Sequence, residues 1–177
     1  MSKIGTSAKV TIPTLRAMAG RAEPITMVAA YDFPSGRLAD EAGLEIVLVG
    51  DSLAMTMLRQ PDTLSVTMDE MLVFARSAGP ARAMVIGDLP YGSYTVGGED
   101  AVRNALRLMK EARTDAVKLE GGESVAPVVR RLARAGIPVM GHIGLTPQSL
   151  AMLGGLPRAR ALSRGGAATA ARRAGAR

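Results

Sequence analysis

The sequence predicts an α/β fold in which strands and helices alternate, and three observations carry that expectation. Short continuous apolar runs recur at 25–30, 45–50, 83–88, 115–120 and 137–142. Helical spacing of apolar residues fills most of the gaps between them, and residues that start and stop helices flank those gaps.

Taken in order, "ITMVAA" and "EIVLVG" are the first two strands, and the intervening "PSGRLADEAG" reads as a helix capped by Ser35 and stopped at Gly43. The next helix, "TMDEMLVFARSAG", opens with Thr67 as cap and Glu70 three residues on, the spacing of a capping box, and ends at Gly79. "AMVIGD" follows as a strand, "EDAVRNALRLMKEA" as an amphipathic helix and "DAVKLE" as a strand. "SVAPVVRRLARAG" is a helix with Pro127 tolerated in its first turn, and "IPVMGH" is the fifth strand. Strands separated by helices pair in parallel through right-handed crossovers. A doubly wound open sheet and a β/α barrel both satisfy this alternation. There is no internal repeat and no GxGxxG fingerprint to favour the dinucleotide-binding variant.

Composition narrows the function classes. The chain has 177 residues, 47% of them hydrophobic and 21% charged, as expected of one globular domain with a core. The absence of cysteine excludes disulfides, thiolate zinc sites and cysteine nucleophiles. Neither an apolar leader segment nor a run of about 18 apolar residues is present, so a cytoplasmic protein without a membrane span is expected. The net charge of +6 invites a nucleic-acid reading, but residues 1–156 carry 16 Lys or Arg against 16 Asp or Glu. All of the excess lies in 157–177, at Arg158, Arg160, Arg164, Arg172, Arg173 and Arg177. That Arg/Ala/Gly-rich tail has one large aliphatic residue, Leu162, and is expected to be disordered, leaving 1–156 as the folded domain. Arginines without interleaved aromatics offer no stacking platform, so no specific nucleic-acid partner is expected.

The polar residues fall at the strand ends. Asp51 and Ser52 follow the second strand, Asp88 ends the third, Lys118 and Glu120 end the fourth, and His142 ends the fifth. In parallel α/β folds the carboxyl ends of the strands share one face, where sites are built. Side chains alternate along a strand, so Lys118 and Glu120 project together, away from Val117 and Leu119. Three carboxylates in one mouth repel one another unless protonated or bridged by a cation. Oxygen ligation of this kind suits Mg2+, which keeps several waters and admits substrate oxygens. A lysine beside it suits an anionic substrate group, and a 2-oxo acid offers a carboxylate next to a polarisable ketone.

At "TMVAAYD", "LVGDSLAMTMLRQPDTLSVTMDEML", "DLPYGSY", "AVKLEGG" and "GHIGLTPQS" the sequence resembles the ketopantoate hydroxymethyltransferase family, over roughly residues 9–156. The resemblance implies a TIM-type (β/α) barrel of the phosphoenolpyruvate/pyruvate superfamily, of which about five of eight β/α units are present here. It implies Mg2+ on Asp51, Asp88 and Glu120, and 2-oxo-acid contacts from Asp51, Ser52, Asp88 and Lys118, with Tyr31 and His142 nearby. It further implies a homodecamer. The implied reaction belongs to pantothenate synthesis: an enolate of 3-methyl-2-oxobutanoate accepts a one-carbon unit from 5,10-methylenetetrahydrofolate to give 2-dehydropantoate. The family's general-base glutamate has no match in the tail, whose abrupt composition suggests a truncated or frame-shifted end. Two other readings remain: another Mg2+-dependent 2-oxo-acid lyase or mutase, and a non-catalytic fragment whose basic tail binds nucleic acid.

Overall fold

The computed structural model describes residues 8–79 and 82–149. Helices and strands alternate through them as α1 (Ile12–Gly20), β1 (Met27–Ala29), α2 (Phe33–Glu41), β2 (Ile46–Val49), α3 (Leu53–Thr56), α4 (Met68–Ala78), β3 (Met84–Asp88), α5 (Gly98–Glu111), β4 (Ala116–Glu120), α6 (Ala126–Arg134) and β5 (Val139–His142). Short 3-10 turns cover Glu123–Val125 and Pro147–Ser149. The 157–177 tail, and the end of the expected domain at 150–156, lie outside the described residues.

Each strand pairs in parallel with the next in sequence, giving the order β1-β2-β3-β4-β5. Right-handed crossovers repeated in one direction put every crossover helix on the same side of the sheet. A doubly wound sheet needs the order to reverse at a switch point, and here it does not. The arrangement is an arc of a β/α barrel.

The two faces of that arc are packed differently. Val49, Val85, Val117 and Leu119 point outward into a core with Leu72, Ala75, Leu108 and Leu132 from α4, α5 and α6. Full burial of side chains such as Leu108 and Leu132 contributes about 1.5–3 kcal/mol each. The inward face carries Ile46, Met84, Ile86 and Ala116, which pack with Val10 and, from α1, Ile12 and Leu15. Thus α1 covers the amino-terminal end of the inner face and leaves the carboxyl end to polar residues. Close approach of α2 to α4 requires glycine at position 36, where a Cβ would collide with the Ala78 carbonyl.

Local signals hold with some corrections. Thr67 and Glu70 form the expected capping box at the start of α4. Asp32, not Ser35, caps α2: its carboxylate accepts the Ser35 N–H at 2.8 Å, and Pro34 fits inside the first turn. Helix α1 was not legible as a helix because its capping box is built by Thr11 and Thr14, without the usual Glu or Gln. Among the described residues β1 and β5 each keep one edge without a strand partner. Met27 and Val28 are accordingly exposed, and Val28, Leu38, Ala42 and Leu44 line a groove of ≈ 410 Å³ beside β1. No helix among the described residues is long and apolar enough to cross a membrane.

Candidate active site

Strand register builds the centre of the site. Asp88 on β3 lies directly beside Lys118 on β4, and Glu120 on β4 directly beside His142 on β5. Each acid therefore meets a basic side chain across one interstrand spacing. Lys118 Nζ donates to Asp88 Oδ2, and Glu120 Oε2 lies 3.1 Å from His142 Nδ1. The expectation that Lys118 and Glu120 share one face holds, and both are buried.

Asp51 arrives from the turn after β2, where its backbone N–H donates to Asp88 Oδ2 at 3.4 Å. The next residue, Ser52, shares a 2.7 Å hydrogen bond with the Tyr31 hydroxyl, so the predicted Tyr31 and Ser52 meet at the flank of the site. After β4 the chain turns away through Gly121, at φ +138, with Val125 packed where a side chain would stand. Only glycine accepts that backbone without strain.

Burial governs the electrostatics. It pushes the Asp88 carboxyl up to about 6; Lys118 pulls against this rise, and neighbouring Asp51 adds to it. Asp51 is raised as well, again chiefly by burial, with the Gln148 amide and Lys118 opposing and Glu120 reinforcing. Among the described residues three buried side-chain oxygens have no hydrogen-bond partner, Asp88 Oδ1, Thr63 Oγ1 and Thr114 Oγ1, and of these only Asp88 Oδ1 belongs to the carboxylate cluster.

A residue that the sequence did not single out joins these groups. Gln148 lies in the 3-10 turn after β5 and is buried. Its Nε2 donates to Asp51 Oδ2 at 2.9 Å and to the Leu89 carbonyl at 3.1 Å, while its backbone N–H donates to Glu120 Oε1 at 2.5 Å. The Tyr94 hydroxyl, shared between Gln148 Oε1 at 2.7 Å and the Glu120 carbonyl at 3.0 Å, completes the cluster. Burial holds the Tyr94 phenol well above its ordinary pKa, so it stays a donor. A polar residue in a turn ordinarily faces solvent, and nothing in "LTPQS" signals otherwise.

All six predicted substrate contacts and the three predicted cation ligands therefore lie at or just after the carboxyl ends of β1 to β5. Their mutual distances are less uniform. Among the described residues no three His, Asp or Glu side chains stand close enough to cage an ion by themselves. Both Glu120 oxygens are engaged, by Gln148 and His142, whereas Asp88 keeps one oxygen free.

Comparison of the whole chain with known proteins identifies its family. A family profile described as ketopantoate hydroxymethyltransferase matches residues 9–176. The chain belongs to the ketopantoate hydroxymethyltransferase family. It is 57% identical over 150 residues to the 3-methyl-2-oxobutanoate hydroxymethyltransferase of Moorella thermoacetica, covering 83% of this chain and 55% of that one. With the enzyme of the same name from Emericella nidulans the identity is 54% over 149 residues, 83% of this chain and 43% of the other. The chain thus spans about half the length of the curated relatives it matches.

Solved structures place the family member in its fold. An oxaloacetate acetylhydrolase superposes with a TM-score of 0.55 at 18% identity, covering 76% of this chain and 52% of that one. A 2,3-dimethylmalate lyase, described as a member of the PEP mutase/isocitrate lyase superfamily, gives 0.51 at 19% identity, with coverage of 87% and 60%. The partial-barrel expectation is met by this likeness together with the sequential parallel sheet.

Proposed function

We propose that this chain provides the 2-oxo-acid and cation site for hydroxymethyl transfer from 5,10-methylenetetrahydrofolate to 3-methyl-2-oxobutanoate. The observation that carries the reading is the buried Asp88–Lys118 pair, with an unpartnered Asp88 oxygen beside a second buried aspartate. An oxygen donor set with surplus negative charge suits Mg2+, and Asp51, Asp88 and Glu120 are the residues that would hold it. When bound, Mg2+ supplies a Lewis acid for the keto oxygen.

The chain's own residues do the rest of the binding. Lys118 presents an ammonium for the substrate carboxylate, and Asp88 keeps that ammonium oriented. Ser52 and Tyr31 share a hydroxyl hydrogen bond, which leaves one O–H of the pair to donate at the flank. In the overall reaction the substrate loses its C3 proton and C3 bonds to the one-carbon unit. With water supplying the hydroxyl, 2-dehydropantoate and tetrahydrofolate are the products. We assign no residue of 8–149 to removal of the C3 proton. The same reading carries a cytoplasmic, pantothenate-forming role and assembly into a ring of ten subunits, which light scattering of the purified chain tests.

Calorimetric titration of the chain with 3-methyl-2-oxobutanoate tests the binding part. Binding is expected with Mg2+ present and is expected to vanish with a chelator or in Lys118→Met. Equal binding with and without chelator overturns the cation site. Formation of 2-dehydropantoate with added methylenetetrahydrofolate tests the transfer part.

A further inference from the structure

We propose that Gln148 is a positioning residue that fixes the carboxylates of Asp51 and Glu120 in the orientation a divalent cation requires, an inference that rests on the cation site proposed above. Neighbouring strands lie about 4.8 Å apart, so the ends of β2 and β5, with two strands between them, are separated by roughly 14 Å of sheet. Among the described residues the strand side chains that bond to another strand reach only the adjacent one, Lys118 to Asp88 and Glu120 to His142. Gln148 spans the wider gap from a turn folded back over the strand ends, reaching Asp51 with its amide while its backbone N–H holds Glu120.

Both polar atoms of the Gln148 side chain have partners. Its Nε2 hydrogens serve Asp51 Oδ2 and the Leu89 carbonyl, and its Oε1 accepts from Tyr94, which leaves a single sensible orientation for the amide. Asp51 Oδ2 is thereby committed to Gln148, as Asp88 Oδ2 is committed to Lys118 and the Asp51 N–H. What remains is one oxygen on each aspartate, and on Asp88 that oxygen has no partner at all.

The choice of an amide is chemically informative. A lysine here would neutralise Asp51 and compete with a cation, and a glutamate would repel Asp51. Glutamine orients the carboxylate while leaving its charge in place for an ion. Tyr94 acts one step further out, by orienting the amide.

The test is Mn2+ binding to the full chain, followed by the electron paramagnetic resonance signal of free and bound ion. Loss of an outer partner of this kind weakens metal binding by about 10–100-fold, the rise in Kd expected for Gln148→Met. Tyr94→Phe, which keeps the aromatic packing, is expected to raise Kd in the same direction by a smaller factor. Both variants are expected to alter the spectrum of the bound ion at saturation, which a purely structural role would leave unchanged. Should Gln148→Met fail to fold, Tyr94→Phe decides alone. Wild-type affinity and spectrum in the folded variants overturn the positioning role and leave the cation site standing. Failure of the wild-type chain to bind Mn2+ overturns both, and Asp88→Asn marks the signal of a lost site.

Discussion

On the inner face of β3, Met84 and Ile86 pack with Ile46, Ala116 and Val10 beneath α1, whereas Asp88, one pleat further along, pairs with Lys118 and the Asp51 amide. The same change occurs on β4, between Ala116 and Lys118. Two residues of strand amount to only about 6.6 Å. Over that distance the face passes from apolar contact to charge held by hydrogen bonds. The amino-terminal half stabilises the sheet, and the carboxyl half spends part of that stability on buried carboxylates, one of whose oxygens, Asp88 Oδ1, has no partner.

Breaking the lower half should show the largest effect. Ile86→Ala removes a fully buried side chain and is expected to cost about 2–5 kcal/mol, read from urea unfolding. Mn2+ affinity of the folded fraction should stay at the wild-type value. A parallel loss of affinity would mean that the two halves are not separable.

The upper half predicts a pH dependence of definite sign. Asp88 sits at about 6 in the folded chain against an ordinary 3.8, so between these values the folded state keeps a proton that the unfolded state releases. The contribution of this group to stability is then fully present below about pH 4 and is lost as pH rises through 6, on the order of 3 kcal/mol in total. Unfolding midpoints across pH 4–7.5 in metal-free buffer measure this contribution, and Asp88→Asn should flatten the slope. A wild-type slope no steeper than that of Asp88→Asn would contradict it.

Two smaller effects sharpen the contrast. Gly121→Ala places a side chain at φ +138 against Val125 and should cost about 1–3 kcal/mol, seen as a lowered melting temperature. The ion pair of Arg107 with Asp69 joins α5 to the start of α4 at the surface. Arg107→Ala is expected to change stability by less than about 1 kcal/mol, and less still at high salt. Lys118→Met is the buried counterpart: it takes the cation from buried Asp88, whereas Arg107→Ala takes one from the exposed carboxylates of Asp69 and Glu111.

Much of this could be read from the chain because it is local. Five apolar runs, the Thr67–Glu70 box and the shared face of Lys118 and Glu120 each depend on residues within a few positions of one another. Strand order does not, and the alternation alone could not decide between a doubly wound sheet and a barrel arc. The cap of α2 was misplaced because Asp32 and Ser35 are both good caps, and only the position of Pro34 in the first turn separates them. Gln148 escaped notice for a stronger reason: its partners are Asp51, Leu89, Tyr94 and Glu120, none of them near it in sequence.

Those separations bear on how the molecule assembles. The contacts of Gln148 with Glu120, Tyr94, Leu89 and Asp51 bridge 28, 54, 59 and 97 residues. Contacts between distant residues form only after the entropy of closing long loops has been met, so they come late. In a refolding experiment the helices and the strand pairs should therefore appear before the clamp does. On the cation site proposed above, the capacity to take up an ion would mark the last event of folding and report that β2 to β5 have found their places.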